Sequence, residues 1–149
     1  MTYDALRRGR VSVPGQVYLL TTVTAGRARC FDDFHLARLA VAEMRRLDAE
    51  GLLSSLAWVL MPDHLHWLVQ LGGTASLSGT VKTFKARVGR RLNAAGGHRG
   101  SVWQKGFHDR ALRKDEDLPT AARYIVANPL RAGLVQRIGD YPHWDAIWL

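Results

Sequence analysis

The chain has 149 residues, of which 47% are hydrophobic, so its length and composition suit one folded domain and exclude a disordered chain. Its single cysteine, Cys30, excludes an internal disulfide framework, and no segment approaches the roughly 18 consecutive apolar residues of a membrane span. The 21 Lys and Arg residues outnumber the 13 Asp and Glu residues, and this net charge of +8 indicates a polyanion as partner.

The N-terminal part of the chain predicts one strand followed by one helix. Residues 1–16 carry no apolar run of the kind found in secretion signals, so we expect a cytoplasmic protein. Residues 16–24 (QVYLLTTVT) are rich in β-branched and aromatic types and predict a strand. Asp32 and Asp33 then offer a helix start, apolar residues recur at helical spacing, and Gly51 offers a stop.

The middle of the chain predicts a hairpin and a second helix. Residues 53–61 and 64–71 are typical of two strands, and Pro62 and Asp63 form the short turn between them. A glycine pair ends the second strand. The helix that follows carries one apolar stripe, made of Leu77, Val81, Phe84, Val88 and Leu92.

The C-terminal part predicts a fourth strand and a third helix. Residues 96–100 (GGHRG) are typical of a mobile loop, and residues 101–112 predict a strand that Gly106 interrupts. Residues 115–117 begin a helix that Pro129 ends or kinks. Its buried stripe is expected to contain Leu118, Ala121, Ala122 and Ile125.

The order of these elements is β-α-β-β-α-β followed by a helix, with no linker or internal repeat. This order predicts an α+β fold with a ferredoxin-like antiparallel sheet and helices packed on one face, formed by a single domain over residues 1–149. Because this architecture serves many unrelated functions, function has to be argued from particular residues.

The excess positive charge is concentrated in one segment. Between Lys82 and Arg113 there are nine Lys and Arg residues and one acid, Asp109, whereas the rest of the chain carries equal numbers of basic and acidic residues. Aromatic residues such as Phe84 and Trp103 are interleaved with the cations, as in surfaces that follow a phosphate backbone and stack bases. A merely solvated surface is the alternative, but we interpret this segment as a nucleic-acid interface.

Residues 61–69 (MPDHLHWLV) place two imidazoles on one face of a strand. Because alternate residues of a strand share a face, His64 and His66 project together, roughly 7 Å apart at the backbone. Leu65 and Trp67 project to the other side, which we take as the face covered by helices. Neutral imidazole is the commonest metal ligand in proteins, so the pair predicts a divalent metal site. Two polar residues on an exposed sheet face are the alternative.

The third helix offers two further candidates, Tyr124 and Asn128, whose i, i+4 spacing puts them on the same side of a helix. Tyr124 lies at the edge of the buried stripe, where its hydroxyl can reach the sheet. Asn128 offers a carbonyl oxygen, which suits a hard cation. The alternatives are a tyrosine hydroxyl that only meets water, and an Asn128 that caps a helix with Pro129 at its first position.

Taken together, MPDHLHWL at residues 61–68 and YIVANPLRAGLV at residues 124–135 resemble the single-tyrosine transposases of the His-hydrophobe-His (HUH) superfamily. More specifically, they resemble the REP-associated tyrosine transposases of bacteria. The two motifs in this order are far more specific than either alone. The PG pair at residues 14–15, the WQKGF segment at residues 103–107 and the DYP segment at residues 140–142 also fit, so the resemblance covers nearly the whole chain.

The resemblance implies a metal-dependent endonuclease that cleaves and rejoins single-stranded DNA. It implies that His64 and His66 bind Mg²⁺ or Mn²⁺, with Asn128 as a third ligand one helical turn after the tyrosine. Tyr124 is then the nucleophile that forms a 5′-phosphotyrosine and releases a 3′-hydroxyl. The implied substrates are short palindromes that fold into hairpin DNA, and the implied location is the nucleoid.

Further residues are expected to contact DNA. The basic residues expected to hold the backbone are Lys82, Lys85, Arg90, Arg91, Lys105, Arg110, Arg113 and Arg131. His108 and Asp109 can approach the site, with a purely structural histidine as the alternative. The basic arm at residues 7–10 either grips DNA or stays disordered, and the aromatic residues 141–149 either cover the cleft or complete the core. The resemblance implies a monomer, with a homodimer as the alternative, and no membrane partner.

Two other functions compete with transposition. The first is a catalytically inactive module, derived from a transposase, that binds hairpin DNA or RNA. The histidine pair stands where an RNA-recognition sheet would show stacking aromatics, which counts against that reading. The second is a metal-dependent hydrolase in which the pair activates water and Tyr124 is structural. A covalent protein–DNA adduct distinguishes the transposase from both.

Overall fold

The computed structural model describes residues 12–148, which form one five-stranded antiparallel sheet and four α-helices. The strands are β1 (Val17–Val23), β2 (Leu53–Met61), β3 (His64–Leu71), β4 (His108–Ala111) and β5 (Trp144–Ala146). The helices are α1 (Phe34–Ala49), α2 (Leu77–Ala94), α3 (Leu118–Val126) and α4 (Asn128–Arg131). The strand order β4-β1-β3-β2-β5 puts β3 in the middle of the sheet. The basic arm at residues 7–10 lies outside the described residues.

One face of the sheet packs against α1 and α2 and forms the main core. Leu65, Trp67 and Val69 of β3 point to this face and are fully buried, as their alternation with the histidines predicted. The apolar stripe of α2 is buried along its whole length. Helix α1 begins where the Asp33 carboxylate accepts a hydrogen bond from the backbone N–H of Leu36 at 3.0 Å, so the predicted start is confirmed.

The other face of the sheet packs against α3 and forms a second, smaller core. Ala122, Ile125 and Val126 of α3 lie against Val59 and Leu68 and their neighbours on β2 and β3. The predicted α+β fold is confirmed: α1 and α2 cover one face, and α3 is the added C-terminal helix. Because α3 covers the opposite face, it lies on the side of the sheet to which His64 and His66 project.

The fourth strand is shorter than predicted. Only His108–Ala111 pairs with β1 as a strand, and Trp103 forms an isolated bridge with Thr24. Gly106 adopts φ +76°, a left-handed conformation that interrupts the extended chain. The rings of Trp103 and Phe107 are buried in the main core, and this packing holds the segment before β4 against α2.

The C-terminal segment completes the sheet rather than covering a cleft. Strand β5 pairs antiparallel with β2, and the Tyr141 hydroxyl donates a hydrogen bond to the carbonyl of Leu60 at 2.6 Å. Burial, together with the nearby charge of Asp32, raises the pKa of Tyr141 to about 12. Within residues 12–148, no helix combines the length and apolar character needed to cross a membrane.

Candidate active site and nucleic-acid interface

The two histidines of β3 lie side by side on the face of the sheet that α3 covers. Their ring centroids are 4.9 Å apart and the rings meet edge to face at 81°. Leu65 between them is 1% exposed and anchors the strand in the main core. The predicted display of the two imidazoles on one face is therefore present in the fold.

Each imidazole has its Nδ1 atom engaged by a neighbouring side chain. His64 Nδ1 lies 2.7 Å from Asp63 Oδ1, and His66 Nδ1 lies 2.9 Å from the Thr21 hydroxyl. A carboxylate only accepts, so the Nδ1 atom of His64 carries a proton and donates it in a hydrogen bond to Asp63. The Thr21 hydroxyl can accept in the same way from His66. With both Nδ1 atoms engaged, the Nε2 atoms are the ring nitrogens left to bind a metal, as in histidines that bind metals.

The electrostatics favour an uncharged His66. Burial is the main cause that lowers its pKa to about 4, and the nearby charges of His64 and Arg131 act in the same direction. Burial tends to raise the pKa of Asp63, but its hydrogen bond to His64 and the charges of His64 and Arg27 outweigh burial and lower that pKa. At neutral pH the pair therefore consists of a neutral His66 and a His64 backed by a carboxylate.

The position of Asp63 is fixed by the backbone around it. The carbonyl of Asp63 accepts hydrogen bonds from the backbone N–H and the hydroxyl of Thr24, at 3.0 and 3.1 Å. Arg27 Nη1 lies 3.7 Å from Asp63 Oδ2. The turn that precedes the histidines is thus tied to the end of β1, which holds the Asp63 carboxylate against His64.

Tyr124 is exposed on α3, with 67% of its surface accessible. Its ring is stacked against Arg131, whose guanidinium carbon lies 4.2 Å from the ring centroid. Arg131 Nη2 also donates a hydrogen bond to the Tyr124 carbonyl at 2.6 Å. Arg131 therefore contacts both the ring and the backbone of Tyr124.

The alternative interpretation, in which Asn128 caps a helix, is wrong. Asn128 is the first residue of α4, and its Nδ2 donates to the carbonyl of Ile125 at 2.8 Å. That carbonyl also accepts a backbone N–H at the end of α3, so the Asn128 side chain is its second donor. This bond uses the amide nitrogen and leaves the Oδ1 atom available to a cation.

His108 extends the row of polar residues across the sheet. It is opposite Thr21, and Thr21 is opposite His66, so all three side chains share one face. The neighbouring Asp109 is opposite Leu20, which points into the main core, so Asp109 faces away from the histidine pair. The structure thus places His108, but not Asp109, on the same face as the histidine pair, with Thr21 between His108 and His66.

Half of the predicted DNA-contacting residues line one groove. The groove, of about 820 Å³, lies between α2 and residues 100–107 and is lined by Lys82, Lys85, Arg90 and Lys105. Lys82, Arg90 and Lys105 are exposed and form no ion pair with any other residue in the described part of the chain. Lys85 instead donates hydrogen bonds to the backbone carbonyls of Gln104 and Gly106, and burial lowers its pKa to about 8.

The remaining predicted contacts are engaged with neighbouring side chains. Arg91 lies 3.7 Å from the buried Glu43, and Arg110 forms a close ion pair with Glu116 at 2.9 Å. Arg113 pairs with Asp115 and Glu116. These arginines are exposed, and each is paired with an acidic side chain of the same chain. A phosphate would have to displace that carboxylate or share the arginine with it.

Replacing Lys82, Arg90 and Lys105 together with Ala should weaken binding of single-stranded DNA. Each cation neutralises about one phosphate, so the slope of log affinity against log salt should become shallower by about 2. Fluorescence anisotropy with a labelled oligonucleotide at several salt concentrations measures this slope. The matched control removes Arg29, Arg45 and Arg137, which carry the same charge away from the groove. An equal loss in both variants would contradict a DNA-binding role for the groove.

Two residues that contact the histidine pair, Thr21 and Asp63, were not predicted as site residues. Thr21 is far from the histidines in sequence and reaches His66 only through the pairing of β1 with β3. Asp63 was interpreted as a turn residue, yet its position directly before the His-x-His motif was a usable signal, since histidine ligands usually have a carboxylate behind them.

Comparison with known proteins identifies the family. Residues 12–128 match the family model described as "Transposase IS200 like". A Haemophilus influenzae protein named as a REP-associated tyrosine transposase is 24% identical over 139 residues, covering 87% of this chain and 78% of that protein. The Escherichia coli K12 REP-associated tyrosine transposase is 30% identical over 87 residues, which cover 58% of this chain and half of that protein.

Two solved structures share the fold. A REP-associated tyrosine transposase bound to a REP hairpin superposes with a TM-score of 0.72 at 22% identity, covering 91% of this chain and 79% of that one. A Deinococcus radiodurans protein described as a transposase has a TM-score of 0.56 at 20% identity, with coverages of 92% and 98%. The family match spans both the histidine pair and the tyrosine helix, and the chain belongs to the IS200-like transposase family.

Proposed function

We propose that this transposase is a metal-dependent single-stranded DNA endonuclease and transesterase that cleaves and rejoins hairpin-forming DNA through a 5′-phosphotyrosine. The observation that carries the proposal is the histidine pair with both Nδ1 atoms engaged and both Nε2 atoms available, on the same side of the sheet as the helix that bears Tyr124. A REP hairpin bound to a protein of the same fold supports hairpin DNA as the substrate.

The donor set fits a divalent ion. His64 and His66 would hold it through Nε2, and Asn128 Oδ1 would be a third ligand. Imidazole suits transition metals and an amide oxygen suits hard ions, so this set favours Mn²⁺ and admits Mg²⁺ through its oxygen ligand and bound water. When bound, the ion would polarise the scissile phosphate and offset the charge that develops on phosphorus. Asp63 and Thr21 hold the two rings in the orientation that this binding requires.

The covalent step is carried by Tyr124. Its hydroxyl oxygen attacks the phosphorus, a new P–O bond to the tyrosine forms, and the bond to the 3′-oxygen of the preceding nucleotide breaks. The phenol proton is lost to solvent and the departing oxygen gains a proton, so the products are a 5′-phosphotyrosine and a 3′-hydroxyl. A 3′-hydroxyl from another strand can attack the phosphotyrosine in the reverse sense, which rejoins DNA without an external energy source.

The decisive experiment is covalent capture. The purified protein is mixed with single-stranded hairpin DNA labelled at its 3′ end, in Mg²⁺ or Mn²⁺, and separated on a denaturing gel. We expect a labelled band that migrates with the protein and disappears after protease treatment. Cleavage without such a band would favour the metal-dependent hydrolase. Binding without cleavage, across several hairpins and both metals, would favour the inactive hairpin-binding module.

Replacing Asp63 with Ala should raise the Mn²⁺ concentration that gives half-maximal adduct formation. His64 would lose the carboxylate that orients its Nδ1–H, and losing such a partner typically costs about 10–100-fold in metal affinity. Asp63→Asn, which keeps an acceptor oxygen, should lie between Ala and the wild type. Asp32→Ala removes an exposed acid that pairs with Arg29 and serves as the control. An unchanged Mn²⁺ requirement in Asp63→Ala would contradict metal binding at His64.

A further inference from the structure

Arg131 makes two contacts with Tyr124, the residue proposed as the nucleophile. Its guanidinium stacks on the Tyr124 ring, with the carbon 4.2 Å from the ring centroid. One guanidinium nitrogen donates to the Tyr124 carbonyl at 2.6 Å. Helix α3, which bears Tyr124, packs on the face of the sheet to which His64 and His66 project. Tyr124 and the arginine that covers it therefore lie on the same side of the sheet as the histidine pair.

The geometry restricts the tyrosine while leaving the arginine able to bind an anion. The bond to the Tyr124 carbonyl ties Arg131 to the backbone of the residue whose ring it covers, so the ring and the guanidinium are oriented together. A guanidinium has five N–H donors, and the bond to the carbonyl uses one nitrogen. Arg131 is exposed, and a planar cation with open donors is the best match in proteins for phosphate oxygens.

We propose that Arg131 binds a non-bridging oxygen of the scissile phosphate while it holds the Tyr124 ring, so that one side chain positions the nucleophile against its target. This inference rests on the proposed function. It goes beyond general backbone binding, because Arg131 acts on the phosphate under attack rather than on the DNA as a whole. The guanidinium would then neutralise the charge of the phosphate from the side of the tyrosine.

The first test separates binding from reaction. Arg131→Gln should form the adduct about 10²–10³-fold more slowly at saturating DNA, the usual cost of removing one donor to a developing anion, and should lose no more DNA affinity than one phosphate contact supplies. Arg131→Lys keeps the charge without the planar stack and should stay at least tenfold below wild type. Arg123→Gln is the control, since Arg123 lies on α3 and its side chain donates a hydrogen bond to the Thr120 hydroxyl rather than to Tyr124. Thermal melting shows that each variant is folded.

The second test uses a methylphosphonate, in which an uncharged methyl group replaces a non-bridging oxygen of the scissile phosphate. If Arg131 neutralises that oxygen, the rate ratio of wild type to Arg131→Gln should fall from about 10²–10³ on phosphate to within about tenfold on methylphosphonate. A ratio that stays the same on both substrates would overturn the inference, as would wild-type rates in Arg131→Gln. Failure of the wild type itself to form any adduct with the unmodified phosphate substrate would instead overturn the proposed function.

Discussion

Replacing Tyr124 with Phe should abolish the covalent protein–DNA adduct and cleavage, and leave hairpin binding within about twofold of wild type. The substitution removes one oxygen from an exposed side chain and keeps the ring on which Arg131 stacks, so the fold and the DNA-binding groove are unchanged. The loss of reaction should be complete because a ring carbon cannot replace the attacking oxygen. The denaturing gel measures the adduct, and anisotropy on the same oligonucleotide measures binding.

Tyr141→Phe provides the matched control for a missing phenol. The Tyr141 hydroxyl is committed to the Leu60 carbonyl, so its removal should cost about 1–2 kcal/mol of stability and leave the adduct intact. An adduct that persists in Tyr124→Phe would assign the nucleophile to another residue. Unchanged cleavage without any adduct in either protein would assign the chemistry to activated water.

Replacing His66 with Ala should reduce adduct formation at least about a hundredfold in saturating Mg²⁺, because polarisation of the phosphate by a metal supplies several kcal/mol of transition-state stabilisation. His64→Ala should behave in the same way, since in the proposed site the two Nε2 atoms would hold one ion. Chelation with EDTA should abolish adduct formation by the wild type, and adding Mn²⁺ should restore it. Rates measured over a Mn²⁺ titration distinguish weakened metal binding from loss of a reacting group.

His108→Ala is the control for the histidine pair. His108 lies on the same face in the same row of the sheet, but it is separated from His66 by Thr21. Its removal should change the rate by less than about threefold. If EDTA leaves the wild-type rate unchanged, or if His66→Ala reacts at full rate, the metal proposal is wrong while the tyrosine chemistry can still stand.

Local periodicity explains which parts of the fold could be predicted from sequence. The alternation in residues 64–71 assigned each side chain of β3 to the correct face, because a strand buried on one side permits only one register. The stripe of α2 was predicted in full, since a 3.6-residue period survives any tertiary arrangement that buries one face. The fourth strand was predicted too long because residues 101–107 are held by packing of Trp103 and Phe107 rather than by strand pairing.

The contacts that refine the site depend on tertiary structure and could not be predicted in this way. Thr21 meets His66 because β1 and β3 pair in one particular register. Lys85 belongs to the predicted basic segment, yet its ammonium is used to tie α2 to the loop before β4. The stacking of Arg131 on Tyr124 depends on side-chain rotamers and on the short turn into α4, neither of which follows from sequence spacing.

The histidine pair and Tyr124 lie on elements that are stabilised to different extents, so these elements should unfold locally at different free energies. Strand β3 is hydrogen-bonded on both edges, so the backbone amides around the histidines should exchange with deuterium only at the free energy of global unfolding. Helix α3 has nine residues and rests on the smaller core, so its amides should exchange earlier. A partial opening of α3 would withdraw the tyrosine and leave the histidine pair assembled. We therefore expect a lower opening free energy for the helix of Tyr124 than for the strand of the histidine pair, so that the two separate without denaturation of the protein.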